Sequence, residues 1–231
     1  MGFSWFRRRD TQPIGMLPDG WHFFARPTDL EQPGTIFRID DQKRRFTVDR
    51  LSPVVDRGPE PGMRSVESID AKLGLVARLL GLEPLGAEIG GGRSRKVEFQ
   101  LTEPVLEATT DVAMDKVLVP YLPGMAFKAG NRYFVVRSVR SAGSMTYRIS
   151  SELFGELGGQ AAVNAVVGLK VKASAGRQGV WDLVQEFPTR LAVMFLPEEI
   201  APTGQELGGG DVPQLGRVPV TQPLEWIEAE E

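Results

Sequence analysis

Every odd-numbered position from 161 to 173 is apolar: Ala161, Val163, Ala165, Val167, Leu169, Val171 and Ala173. The even positions hold Ala162, Asn164, Val166, Gly168, Lys170 and Lys172. A strand places successive side chains on opposite faces, so this run has one oily face and one mixed face carrying two lysines. Strands of globular sheets are mostly about 3–10 residues long, whereas a strand crossing a bilayer in a barrel needs about 9–11, alternating apolar-out and polar-in. The segment is long enough to line a membrane pore. A long coiled strand or a bulged strand of a sandwich gives the same pattern.

Residues 65–101 fit two periods at once. Ser65 is placed to cap a helix with Glu67 in its first turn, and Val66, Ile69, Leu73, Val76 and Leu80 form a stripe at helical spacing. Ala71, Leu73, Leu75, Ala77 and Leu79 also alternate with Lys72, Gly74, Val76, Arg78 and Leu80. The odd positions stay apolar at Leu85, Ala87 and Ile89, and again at Val97, Phe99 and Leu101 beyond the basic link Arg93-Ser94-Arg95-Lys96. Pro84 and the triple glycine at 90–92 interrupt the run. A segment that fits both templates is expected to be helical in one state and extended in another, although Ala- and Leu-rich helices also produce this ambiguity by chance.

Elsewhere, alternation and Pro/Asp/Gly turns predict a β meander between residues 15 and 55, with strands at 21–25, 35–39 and 45–51. Residues 56–62, Asp-Arg-Gly-Pro-Glu-Pro-Gly, read as loop. A short helix is expected at 111–121. A hairpin follows, with Tyr133, Val135 and Val139 on one face of its first strand and Met145, Tyr147 and Ile149 on one face of its second. Ser141-Ala142-Gly143-Ser144 is its expected turn. Residues 175–179 turn the chain again, Trp181, Leu183 and Phe187 continue an apolar face, and 190–196 form a further apolar strand.

The chain's two ends differ from its body. Phe3, Trp5 and Phe6 stand beside Arg7, Arg8 and Arg9, an amphipathic basic arm (residues 1–12) suited to an anionic membrane surface or to a disordered start. Its apolar part is too short for a secretory segment. Residues 204–211 are a glycine-rich linker. Beyond it, Leu215, Val218, Val220, Leu224 and Trp226 are the few apolar anchors of a Pro-punctuated tail. Such a peptide has too little core to fold alone; it either docks as an extended strap or stays disordered. Three units are expected: 1–12, a body at 13–203, and the linker with its peptide at 204–231.

Composition narrows the chemistry. A formal charge of −3 over 231 residues gives no global pull toward nucleic acid. The lack of Cys removes disulfides and thiolate chemistry, and no apolar run of about 18 residues suits a membrane helix. The single histidine, His22, lies in the aromatic run Trp21-His22-Phe23-Phe24, where a structural imidazole is expected. Asp40 and Asp41, followed by Lys43, Arg44 and Arg45, read as a hairpin turn rather than an acid–base pair. Gly90-Gly91-Gly92-Arg93-Ser94 lacks the spacing of a phosphate loop. No catalytic residue, cofactor or metal is expected; a metal-dependent activity would have to use Asp40, Asp41 or Asp111.

Several segments, in order, resemble the bacterial gasdermins, small pore-forming proteins of antiphage defence. They are residues 20–27 (GWHFFARP), Arg64-Ser65 opening the Leu/Gly-rich segment, 94–101 (SRKVEFQL), 133–139 (YFVVRSV), 168–174 (GLKVKAS) and 187–195 (FPTRLAVMF). The resemblance implies an α+β fold like that family's N-terminal domain, a twisted, mostly antiparallel central sheet with a few short helices. It implies a non-enzymatic, autoinhibited monomer, cytoplasmic when inactive. Proteolytic removal of a short C-terminal peptide would let many copies close into a β-barrel in the cell's own inner membrane. Membrane lipids and an activating protease are the implied partners. Regions 69–101 and 145–187 would become membrane hairpins, with Leu73, Leu75, Leu79, Val97, Phe99, Tyr147, Ile149, Val163, Val167, Leu169, Val171, Trp181 and Leu183 on the membrane-strand face. Lys72, Arg78, Lys170 and Lys172 would face the lumen or lipid headgroups, and Leu215, Val218, Val220, Leu224 and Trp226 would anchor the inhibitory peptide. Asp211 suits a caspase-like protease and Arg217 a trypsin-like one.

Two features depart from that family. Many members carry an acylated Cys near the N-terminus, and this chain has none; Phe3, Trp5, Phe6 and Arg7–Arg9 are the alternative anchor. Glu83, Pro84 and Glu88 fall inside one expected membrane hairpin and are tolerable there only near a turn or facing water. The alternative is a non-enzymatic α+β binding module for a lipid, peptide or protein partner, with Trp21 and Trp181 lining its groove.

Overall fold

A computed structural model describes residues 20–60, 66–71, 95–156, 159, 170–175, 179–202, 215–222, 224 and 227–228. Its strands in chain order are β1 (His22–Thr28), β2 (Thr35–Ile39), β3 (Arg44–Arg50), β4 (Asp56–Pro59), β5 (Val66–Ala71), β6 (Arg95–Thr102), β7 (Val105–Ala108), β8 (Arg132–Ser150), β9 (Lys170–Ala175), β10 (Val180–Pro202), β11 (Leu215–Pro219) and β12 (Ile227–Glu228). Among the described residues lie two short helices, α1 (Asp111–Tyr121) and α2 (Ser151–Glu156). The fold is α+β: among the described residues an open 12-stranded sheet whose pairings are antiparallel except that of β12 with β3.

Two long strands form its axis. β8 has 19 residues and β10 has 23, and they pair antiparallel from Val180↔Ser150 to Ile200↔Tyr133. Short strands line their outer sides in series. Along β8 lie β6, β7 and β2; along β10 lie β9, β1 and β11. A second rank follows outside β8's flank, with β5 on β6, β4 on β7 and β3 on β2.

Alternation along β8, with a register shift between Val136 and Ser138 that puts Val139 on the face opposite Tyr133 and Val135 rather than on theirs as expected, divides the interior in two. Phe134, Val136, Val139, Met145 and Tyr147 point into a large aromatic core with Phe23, Phe37, Phe99 and Phe195. Tyr133 and Val135 point to the other face, where Met114 and Leu118 of α1 close a smaller core with Ile36 and Ile200. Thr110 caps α1, its side chain accepting from the Ala113 amide at 3.2 Å, with Asp111 in the first turn. Each fully buried aromatic contributes about 1.5–3 kcal/mol by leaving water.

The expected β2–β3 hairpin and the 111–121 helix are present. Other expectations change. β1 is not the first strand of a meander: it pairs with β10, away from β2, and its run Trp21–Phe24 is buried at every residue because both its faces are covered. Ser141-Ala142-Gly143-Ser144 is not a turn but the middle of β8. A two-residue hairpin turn needs positive φ, which Gly143 does not adopt, and opposite it the register of β10 shifts between Glu186 and Leu191. The strand expected at 190–196 is part of the continuous β10. The expected loop at 56–62 includes a strand, β4, paired with β7. Residues 66–71, expected at the start of a helix, are β5: pairing with β6 sets Val66 and Ile69, across a register shift, opposite Phe99 and Val97, two core residues.

Candidate functional site: the docked C-terminal strap

The chain's C-terminal residues grip the sheet at both of its edges. β11 adds to β10 with Glu199↔Val218 and Ile200↔Arg217, and β12 adds to β3 with Ile227↔Arg44 and Glu228↔Arg45. At this end the strand order is β11-β10-β8-β2-β3-β12, so the strap forms the outermost strand on either side. Between its two strands, Val220 and Leu224 sink into the aromatic core, Leu224 to 2% exposure. Gly20, beneath the strap, takes φ +86°, a left-handed conformation that favours glycine.

Alternation sends Leu215 and Arg217 to the α1 side, where Leu215 packs against the smaller core. The Arg217 guanidinium meets Glu198 of β10 and, on α1, the side chains of Asp115 at 3.0 Å and Asp111 at 3.3 Å. Arg137 of β8 completes the cluster, bridging Glu198 at 3.2 Å and Asp111 at 3.1 Å. Two cations and three carboxylates thus tie the strap to β8, β10 and α1. Burial works to lower the Arg217 pKa, but the Glu198 and Asp115 carboxylates outweigh it and raise the value, so the side chain is held charged.

His22 lies under the strap. Its Nδ1 is 2.8 Å from the Gly20 carbonyl and its Nε2 3.4 Å from the Gln222 carbonyl of the strap. Burial lowers its pKa, which keeps the ring neutral. Facing two carbonyl oxygens, it has the environment of a structural imidazole. Asp40 shapes its own turn: its Oδ1 accepts from the amides of Gln42 at 3.0 Å and Arg44 at 2.8 Å. No group of acidic or imidazole side chains suited to a metal occurs among the described residues.

Of the expected membrane-face residues, Val97, Phe99, Tyr147, Ile149 and Leu183 are buried in the aromatic core. Trp181 is half-buried and stacks on Phe154 at 4.0 Å. Lys170, Val171 and Lys172 lie on β9, opposite Glu186, Gln185 and Val184. Leu73, Leu75, Leu79, Val163, Val167, Leu169, Lys72, Arg78, Phe3, Trp5, Phe6, Arg7, Arg8, Arg9, Asp211 and Trp226 lie outside the described residues. Val218 is 40% exposed, so the described grip comes from Leu215, Arg217, Val220 and Leu224. Arg217 stands inside a paired strand with its side chain engaged, which offers a trypsin-like protease no free side chain while the strap is docked. Trp21 is buried beneath the Arg140 guanidinium at 3.9 Å. A surface depression of about 320 Å³ lies elsewhere, against Gln32, Leu51, Pro53 and Arg57.

Glu198, Asp115 and Arg137 carry no sequence signal for their role; their strap partner lies 19 residues from Glu198 and 102 from Asp115. No family profile and no curated protein sequence matches the chain. Among solved structures it is similar to a bacterial gasdermin from Bradyrhizobium tropiciagri, with 19% sequence identity, 87% of each chain covered and a TM-score of 0.49.

Proposed function

We propose that this chain is an autoinhibited, gasdermin-type pore former and not an enzyme. The observation that carries the proposal is the strap's hold on both edges of one sheet end. A peptide so placed blocks lateral growth of the sheet, and lateral growth is what a membrane barrel requires: in lipid only a closed ring satisfies every strand's backbone groups. Cleavage in the linker at 204–211, with Asp211 the favoured site, frees the strap. Copies then assemble in the inner membrane and permeabilise it, the cell's own sacrifice in antiphage defence. The inactive chain is a cytoplasmic monomer.

The far halves of β8 and β10 suit insertion. Met145, Tyr147 and Ile149 are buried on one face, while Arg148 and Ser150 on the other are exposed. Such strands can exchange a protein core for lipid without changing their period. The test is dye leakage from anionic vesicles, using the full chain carrying an added protease site in its linker. Uncut protein is expected to be silent and cut protein to leak; a cut chain that stays soluble, folded and inert overturns the proposal in favour of a binding module.

A further inference from the structure

The strand directions at the strap end carry one step more. Take β10 as running up. Then β8 runs down, β2 up and β3 down, since each pairing is antiparallel. β11, antiparallel to β10, runs down, and β12, parallel to β3, also runs down. β3 therefore has the same direction as the strand that caps β10. Granting the release proposed above, we infer that the docking partner of the freed sheet is a second copy of this chain. The β3 edge of one copy replaces β11 on the β10 edge of the next, antiparallel, at residues 198–202.

Three observations favour this occupant. First, the junction keeps every copy in one orientation and joins two different edges, the head-to-tail arrangement that closes into rings. Second, the strap's hold is uneven. Among the described residues β12 covers β3 at Arg44 and Arg45, and 47–50 are exposed, whereas β11 covers β10 over five residues. In the intact chain each copy thus keeps its own acceptor edge filled, and a neighbour's β3 has nowhere to pair. Third, the faces match in charge. Loss of Arg217 leaves Glu198, Asp111 and Asp115 with Arg137 alone among the cluster's cations. Arg38 and Arg44 both lie over the Phe46 ring, on the face of β3 opposite the aromatic core that holds Ile39. That is the α1 side, where Arg217 stood, and the Arg44 side chain is 42% exposed. In the register that sets Thr47 opposite Glu199, Phe46 of the next copy stands opposite Ile200, where Arg217 stood, and the Arg38 and Arg44 guanidiniums over its ring bring positive charge to the acids that Arg217 left, Arg44 keeping its own pair with Asp40 at 2.7 Å.

The lack of Cys makes the test clean. Thr47 faces the aromatic-core side of β3, opposite Phe37, and Glu199 and Ala201 alternate with Ile200, which faces α1, so all three belong to one face of the joined sheet. Thr47→Cys is combined in turn with Glu199→Cys and Ala201→Cys, two registers of one pairing, in the full chain with the added linker site. Opposed Cα atoms about 4.5–5.5 Å apart are within disulfide reach. After cutting and oxidation on anionic vesicles, at least one pair is expected to give a ladder of trimers and larger species. Each single variant is expected to stay monomeric, a mixture of the two singles to stop at dimers, and uncut protein to stay monomeric. Leakage is recorded on the same samples under reducing conditions. Leakage without a ladder, or dimers from one single variant alone, overturns the edge pairing and leaves pore formation standing. A ladder without leakage keeps the pairing and overturns pore formation; neither signal overturns the pairing too. Thermal melting of the uncut variants at the parent temperature confirms that they fold.

Discussion

The two halves of the β8–β10 ribbon share a backbone and differ in what covers them. In the strap half, Tyr133, Phe134, Val135 and Val136 of β8 are buried in succession, as are Ala192, Val193, Met194 and Phe195 of β10. Both faces are packed there, one by the aromatic core and the other, over Tyr133 and Val135, by α1. In the far half, Met145, Tyr147 and Ile149 alternate with half-buried or exposed Thr146, Arg148 and Ser150. One face is packed and one meets water. A strand packed on both faces cannot leave its site without uncovering two cores, whereas a one-faced strand needs only one replacement apolar surface. The strap half is therefore the anchor and the far half the convertible part.

That contrast is broken most directly at Phe195. It is fully buried, stacks on Phe24 at 4.5 Å and meets Phe37 edge-on at 6.0 Å. Phe195→Ala is expected to cost about 3–5 kcal/mol, read as a lower urea midpoint of the uncut chain. A loss under about 1 kcal/mol would mean that the anchor is not cooperative. The next effect is at the strap. Arg217→Leu removes hydrogen bonds to three carboxylates, two of them well exposed, and is expected to weaken docking by about 2 kcal/mol. After a linker cut, the peptide should leave roughly 30-fold more readily, measured by its retention on size exclusion. Val218→Ala, on the same strand but exposed, is the control that should change nothing.

The same contrast explains what could be read from the chain. The far half was legible because one-faced packing writes itself as alternation: Met145, Tyr147 and Ile149 stand out against Thr146 and Arg148. The helix was legible because Met114 and Leu118 are spaced to fall on one buried face. The strap half was not. Its continuous apolar runs name no partner, so β1 could be placed beside β2 when it lies on β10. Ser141-Ala142-Gly143-Ser144 has turn composition, yet Ser141 and Ala142 are buried opposite Ala192 and Leu191 of β10. Tertiary pairing overrode local preference. Arg217 was legible as a basic residue in the tail; that its three acids lie on α1 and β10 depends on long-range topology, which local pattern does not encode.

The smallest effect separates the halves most cleanly. Arg148 stands on the open face of β8, paired with Asp182 at 3.0 Å and Glu98 at 3.7 Å, its side chain 52% exposed. Water screens such a pair, and holding two long side chains in one geometry offsets most of the attraction. Arg148→Ala is therefore expected to shift the uncut chain's stability by about 0.5 kcal/mol or less, in the same urea measurement that reports several times more for Phe195→Ala. If the two substitutions cost alike, the far half has a second packed face, and the one-faced strand on which insertion depends does not exist. If Arg148→Ala is silent, that face is free to change partners while the other keeps its core.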